Sequence, residues 1–252
     1  MNKKNILFLV LGGIFITNAI VAELVGGKIF SLEGSIGITP FQFSMFGGKW
    51  DFNLTAGVIL WPVVFITTDI INEYFGKDGV KKISYLTVLL ISYTFLVVYF
   101  ITKLSPATFW TEGLSTDENG NYLDINYAFS KIFTQGLRII IGSLIAFLIG
   151  QFLDVYVFHK LRKITGSKYL WLRATGSTLV SQFIDSFVVL FIAFYGVFSL
   201  KDIMATGIVN YIYKFSIAIL ITPLLYVAHY YIDKYLGKEN ADELIKEASK
   251  NS

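Results

Sequence analysis

The chain has 252 residues, 54% of them hydrophobic and only 15% charged, with a formal net charge of +3. An ordinary soluble domain carries about 25% charged residues, so lipid is the expected solvent, and the small net charge excludes the broad basic surface of a nucleic-acid binder. There is no cysteine, which removes disulfide frameworks, thiolate metal sites and cysteine nucleophiles together.

Six segments approach the roughly 20 apolar residues needed to cross a hydrocarbon layer of about 30 Å: residues 6–25, 54–72, 83–101, 139–158, 176–198 and 208–232. They are too long for barrel strands of about 9–11 residues, and unpaired backbone is too costly in lipid for anything but helices or closed barrels. The expected fold is an all-α membrane protein with six transmembrane helices. The first segment follows Lys3 and Lys4 as a signal peptide would, but it exceeds the apolar core of about 7–15 residues typical of one and is read as the first helix. The odd loops hold Lys28, Lys49, Lys103, Lys131 and Lys201, whereas the even loops and termini hold most other basic residues, among them Lys77, Lys81, Lys160, Arg162, Lys168, Arg173 and Lys234. The positive-inside rule then places both termini in the cytoplasm.

Between the first two segments, Gly34, Pro40 and Gly47 are interleaved with Phe41, Phe43, Phe46 and Trp50. Such aromatics read as interfacial anchors, or as a hairpin or lid over an outward cavity. Residues 1–237 are expected to form the transmembrane domain. Residues 238–252, with alternating Glu and Lys, form a short cytoplasmic tail that is a solvated helix or a frayed end.

Ionisable groups inside membrane helices are costly, so each one facing the bundle is a candidate functional residue. By depth along its helix, Asp185 falls at the midplane. Asp69 and Asp154 lie towards the inner surface, and Glu23, Arg138 and Lys214 lie towards the outer one. Asp69 with Glu73 and Asn210 with Lys214 are spaced i,i+4, while Gln151 with Asp154 and Gln182 with Asp185 are spaced i,i+3, so each pair shares a helical face. These stripes read either as polar glue between helices or as the wall of a shared wet cavity. Gly142, Ala146 and Gly150 give the fourth segment a small-residue face for close packing. His159, beside Lys160 and Arg162, is expected to be solvated, and His229 to be interfacial or core. Two isolated histidines make no metal site, and there is no phosphate loop, nucleophile elbow or H-E-x-x-H motif. No cofactor is expected.

At these stripes the sequence resembles the queuosine precursor transporter family, also described as putative vitamin uptake transporters. The resemblance rests on Thr68-Asp69-Ile70-Ile71-Asn72-Glu73-Tyr74-Phe75-Gly76, on Gln151-Phe152-Leu153-Asp154-Val155-Tyr156-Val157-Phe158 and on Ser177-Thr178-Leu179-Val180-Ser181-Gln182-Phe183-Ile184-Asp185. Tyr213-Lys214 and Thr222-Pro223-Leu224-Leu225-Tyr226 close the pattern, whereas Phe215-Ser216-Ile217-Ala218 stands where a tyrosine-glutamate pair is expected. The resemblance implies an inner-membrane importer of 7-deazaguanine precursors of queuosine, not an enzyme. Its architecture would be similar to the substrate-binding components of energy-coupling-factor importers.

For such a flat base, carboxylates accept N–H pairs, amides satisfy the remaining edge atoms and aromatic rings stack on the faces. Asp185 with Gln182 is the expected reader of the guanine edge, with Asn210, Lys214 and Glu23 lining the outward half. Asp69, Glu73 and Asp154 are expected to gate the inner exit or relay protons. Two alternatives stay open. One is a capture subunit working with separate energising partners, or a homo-oligomer; the other is an intramembrane enzyme using Asp69 and Asp185 as an acid/base pair.

Overall fold

The structure is a computed structural model and describes residues 2–250 apart from 40, 41, 46, 47, 135, 136 and 167. Helix α1 (Lys3–Val25) leads through β1 (Ile29–Ser31), the one-turn helix α2 (Leu32–Ser35), β2 (Phe43–Met45), β3 (Gly48–Trp50) and β4 (Asn53–Thr55) to α3 (Trp61–Ile101). The short helices α4 (Thr108–Gly113) and α5 (Ile125–Phe133) precede α6 (Leu137–Thr165), α7 (Leu170–Phe194), α8 (Leu200–Leu236) and α9 (Lys238–Lys250). Among the described residues, five helices (α1, α3, α6, α7 and α8) are long and apolar enough to cross a membrane. The chain is thus an all-α membrane protein with small β ribbons at one end.

Helix α3 is one continuous run of 41 residues only by its hydrogen bonds, because Gly76 inside it has φ 66° and ψ −169°. That region is essentially reserved for glycine, and here it turns the chain back on itself. Residues eight apart in a straight helix stand about 12 Å apart along the axis, yet a Cβ placed on Gly79 would lie 3.2 Å from Ile71 Cγ2. Helix α1 reads the two arms in opposite directions. Ala22 packs on Gly57 and the Phe8 ring on Phe75, its centroid 4.9 Å away, whereas Phe8 also meets Gly79 and Gly12 meets Ile83. Residues 61–75 therefore run antiparallel to α1 and residues 77–101 run parallel to it.

Close packing brings the remaining helices into place. A Cβ on Gly142 would sit 3.2 Å from Ile192 Cβ and one on Gly150 3.5 Å from Asp185 Cβ, so the small-residue face of α6 seats α7 antiparallel to it, as expected of that face. Helix α8 returns antiparallel along α7, with Gly207 against the Phe187 ring and Thr175 Oγ1 2.9 Å from Thr222 Oγ1.

The burial pattern reverses that of a water-soluble bundle. Ser84, Thr87 and Ser177 are fully buried, while Leu89 and Leu220 are 63% and 69% exposed. A surface this apolar is a lipid-facing one.

The β ribbons link α1 to α3. Strand β1 pairs antiparallel with β4, Ile29 opposite Thr55, and β2 with β3, Phe43 opposite Trp50. Glu33 Oε1 accepts from Phe52 N at 3.1 Å and ties the loop together. The aromatic stretch is thus a hairpin in part, although Phe41 and Phe46 lie outside the described residues. Helix α9 is amphipathic and folds back onto the bundle. Ala241, Leu244 and Ala248 are buried, and Lys4 Nζ pairs with Glu247 at 3.0 Å. The tail expected to be solvated or frayed therefore has one packed face, seated on the Gly76 corner.

Candidate functional site

Where α3, α6 and α7 meet, polar faces of all three turn inward. Asp154 and Gln151 of α6, Gln182 and Asp185 of α7 and Thr68 of α3 line a narrow cleft, with Thr178 and Ser181 beside them. Trp61, Phe65 and Phe147, on the same faces of α3 and α6 as Thr68 and Gln151, add an aromatic part to its lining. Trp61 stacks on Phe65 at 6.1 Å between ring centroids and tilts against Phe147 at 5.9 Å.

Asp154 is 5% exposed, and its oxygens are only loosely held. Asn72 Nδ2 lies 3.4 Å away, Ser181 Oγ 3.3 Å and Thr178 Oγ1 3.5 Å. Ser177 is a further hydroxyl partner, but good hydrogen bonds to oxygen are nearer 2.7–3.0 Å, so the long contacts from Asn72, Ser181 and Thr178 can give way to a ligand's donors. Asp185, by contrast, is engaged, because Lys214 Nζ of α8 donates to its Oδ2 at 2.5 Å. Glu23 of α1 is buried close to this pair and accepts from Ser143 Oγ at 2.5 Å.

A second, smaller cavity adjoins the cleft, and Phe65 and Thr178 line both. Asp69 faces this second space together with Thr175, Thr222 and apolar side chains of α8. It is 6% exposed, and its Oδ1 has no hydrogen-bond partner among the described residues.

At the Gly76 end, Arg173 Nη2 lies 3.0 Å from both carboxylate oxygens of Glu73 and Arg162 Nη2 lies 3.6 Å from Oε1. Arg173 also donates to the carbonyls of Gly166 and Lys168, and Arg162 to that of Ile245 in α9. Tyr74 contacts both His229 Nδ1, at 2.9 Å, and Asp233 Oδ1.

The structure thus brings Asp185, Gln182 and Asp154 into one cleft, with Lys214 and Glu23 at its edge. Asn210 is half-buried and lines neither cavity. Asp154, expected deeper at the inner exit, faces the same cleft as Asp185, because α6 and α7 cross at Gly150. Glu73 is locked between two arginines, Asp69 lies in the adjoining cavity, and the side chain of Arg138 lies outside the described residues. His159 is a correction. Expected in water, it is 5% exposed and neither ring nitrogen has a partner among the described residues, because the end of α6 packs into the bundle. Sequence alone presents Arg162 and Arg173 as loop charges, although Arg162 falls in the last turn of α6 and Arg173 in the first turn of α7.

Residues 55–228 match the model of a family described as "Putative vitamin uptake transporter". A probable queuosine precursor transporter of Bacillus subtilis is 33% identical over 70% of this chain and 73% of its own. One from Haemophilus influenzae is 29% identical over 72% and 73%, and the queuosine precursor transporter of Escherichia coli is 29% identical over 67% and 69%. No solved structure matches the chain. With that family model covering more than half of its length, the chain belongs to the queuosine precursor (putative vitamin uptake) transporter family, and it is a membrane transporter, not an enzyme.

Proposed function

We propose that the protein crosses the inner membrane six times with both termini in the cytoplasm, and that it imports queuosine precursors such as queuine or 7-cyano-7-deazaguanine for salvage into tRNA. The six crossings are α1, the two arms of α3, α6, α7 and α8, the architecture expected of energy-coupling-factor substrate-binding components. The reversal at Gly76 supports counting α3 twice, and the basic residues at the Gly76 end support placing that end inside.

The observation that carries the substrate is the mixed polar and aromatic lining of the cleft. Loosely held acceptors of Asp154, with Gln151 and Gln182, suit the N–H groups and carbonyl of a guanine edge. Trp61, Phe65 and Phe147 suit its flat faces. Asp154 takes the edge-reading role in this proposal, while Asp185 orients the cleft through Lys214. Admission of a ring requires the narrow cleft to widen, and Pro223, which leaves the Ile219 carbonyl without its helical donor, offers α8 a place to bend.

The test is uptake of labelled 7-cyano-7-deazaguanine or queuine by cells that make no queuosine, read as label in tRNA. Cells carrying the protein acquire label and cells carrying Asp154→Asn acquire far less. Failure of the unaltered protein to deliver either compound removes the substrate; full delivery by the variant removes the site.

A further inference from the structure

We propose that Asp69 binds the proton that drives transport, so that a proton on Asp69 and substrate in the neighbouring cleft enter together as symport. The inference rests on the cleft being the substrate site, and it adds an energy source that site does not supply.

Asp69 Oδ1 is buried and without a partner among the described residues. The nearby hydroxyls are committed elsewhere. Thr222 Oγ1 donates to the Ala218 carbonyl at 3.0 Å, which leaves Thr175 to donate to Thr222 at 2.9 Å, and Thr178 faces Asp154. Among the described residues, no other ionisable side chain lines this cavity. The charged groups facing Asp69 from its surroundings are Asp154 of α6 and, one turn along α3, Glu73, which Arg162 of α6 and Arg173 of α7 hold. Helix α8 contributes no charge to the cavity. A negative charge at Asp69 therefore has no counterpart, and a bound proton is the smallest group that supplies one.

Coupling follows from proximity. Asp69 and Asp154 line adjoining spaces that share Phe65 and Thr178, and two carboxylates so placed, neither ion-paired among the described residues, oppose each other's charge. Asp154 accepts N–H groups of a guanine edge best when charged, which a proton on Asp69 permits. By linkage, substrate at Asp154 strengthens proton binding at Asp69 to the same degree. When the substrate leaves on the inner side the link is broken and the proton follows it. No bond other than the carboxyl O–H forms or breaks.

The experiment uses the full chain in sealed vesicles with labelled 7-cyano-7-deazaguanine, a neutral probe, and the membrane potential held at zero. With the vesicle interior one pH unit more alkaline, one proton per substrate supports a steady-state inside-to-outside ratio of up to about ten. The Asp69→Asn chain should reach a ratio of one whatever its rate. A ratio of one for the unaltered protein, or of about ten for Asp69→Asn, overturns the proposal while leaving the transport reading intact. No entry of probe into vesicles holding the unaltered protein removes that reading, and this inference with it. Should Asp69→Asn not fold, addition of probe to the unaltered protein without a gradient decides instead. A rise in external pH as protons enter supports symport, and probe entry with no pH change refutes it.

Discussion

Arg173 holds both carboxylate oxygens of Glu73 at 3.0 Å across the junction of α3 and α7, with the arginine side chain only 1% exposed. A pair this deep contributes little net stability compared with apolar packing, but removing one partner leaves an uncompensated charge and costs about 3–5 kcal/mol. Glu73→Gln strands Arg162 as well as Arg173. Its unfolding midpoint in detergent is therefore expected to fall well below that of the unaltered protein, and an unchanged midpoint would mean the clamp is not formed.

Gly76 supplies a second structural test. Its φ of 66° is joined to ψ of −169°, and a Cβ there would lie 3.0 Å from the Ala248 carbonyl oxygen of α9. Gly76→Ala meets both penalties, of which backbone strain alone is of order 1–3 kcal/mol. Relief by release of α9 is the cheapest response. Limited proteolysis is expected to cut residues 238–250 faster in this variant, while equal cutting would show that the corner accommodates a methyl group.

These two contacts mark where the sequence was legible and where it was not. Apolar run length identified the helices, and i,i+3 and i,i+4 spacing identified the stripes of Asp69, Gln151, Asp154, Gln182 and Asp185, because both signals are local. Which stripes meet is decided by crossings such as Gly150 on Asp185, and spacing within one helix carries no record of its neighbour. Depth along a helix accordingly separated Asp154 from Asp185, although both face one cleft. The same limit hid Arg173, which looks like a loop charge until Glu73 is seen opposite it, and His159, whose basic neighbours suggested water.

Asp185 and Lys214 offer a double-mutant cycle. Their side chains are 19% and 11% exposed and 2.5 Å apart, close enough for a coupling energy of about 0.5–3 kcal/mol. Lys214→Met and Asp185→Asn should each lower the unfolding midpoint, and the combined variant should recover part of the loss because no unpaired charge remains. Strict additivity would place the two groups in separate environments.

Asp154→Asn tests recognition at the level of single atoms. A charged acceptor facing a guanine edge gains from both the ring N–H and the exocyclic amine, and a hydrogen bond to a charged group is worth about 1.5–3 kcal/mol. Loss of one such bond weakens binding by roughly 10- to 100-fold. A ligand series separates this role from general damage. The unaltered protein should bind 7-cyano-7-deazaguanine more tightly than the analogue lacking the 2-amino group. Asp154→Asn should bind both weakly and with little preference, because the amide presents one acceptor where the carboxylate presents two. Retention of the full preference in the variant would move the edge-reading role to Asp185 and Gln182, the pair that shares the cleft with it.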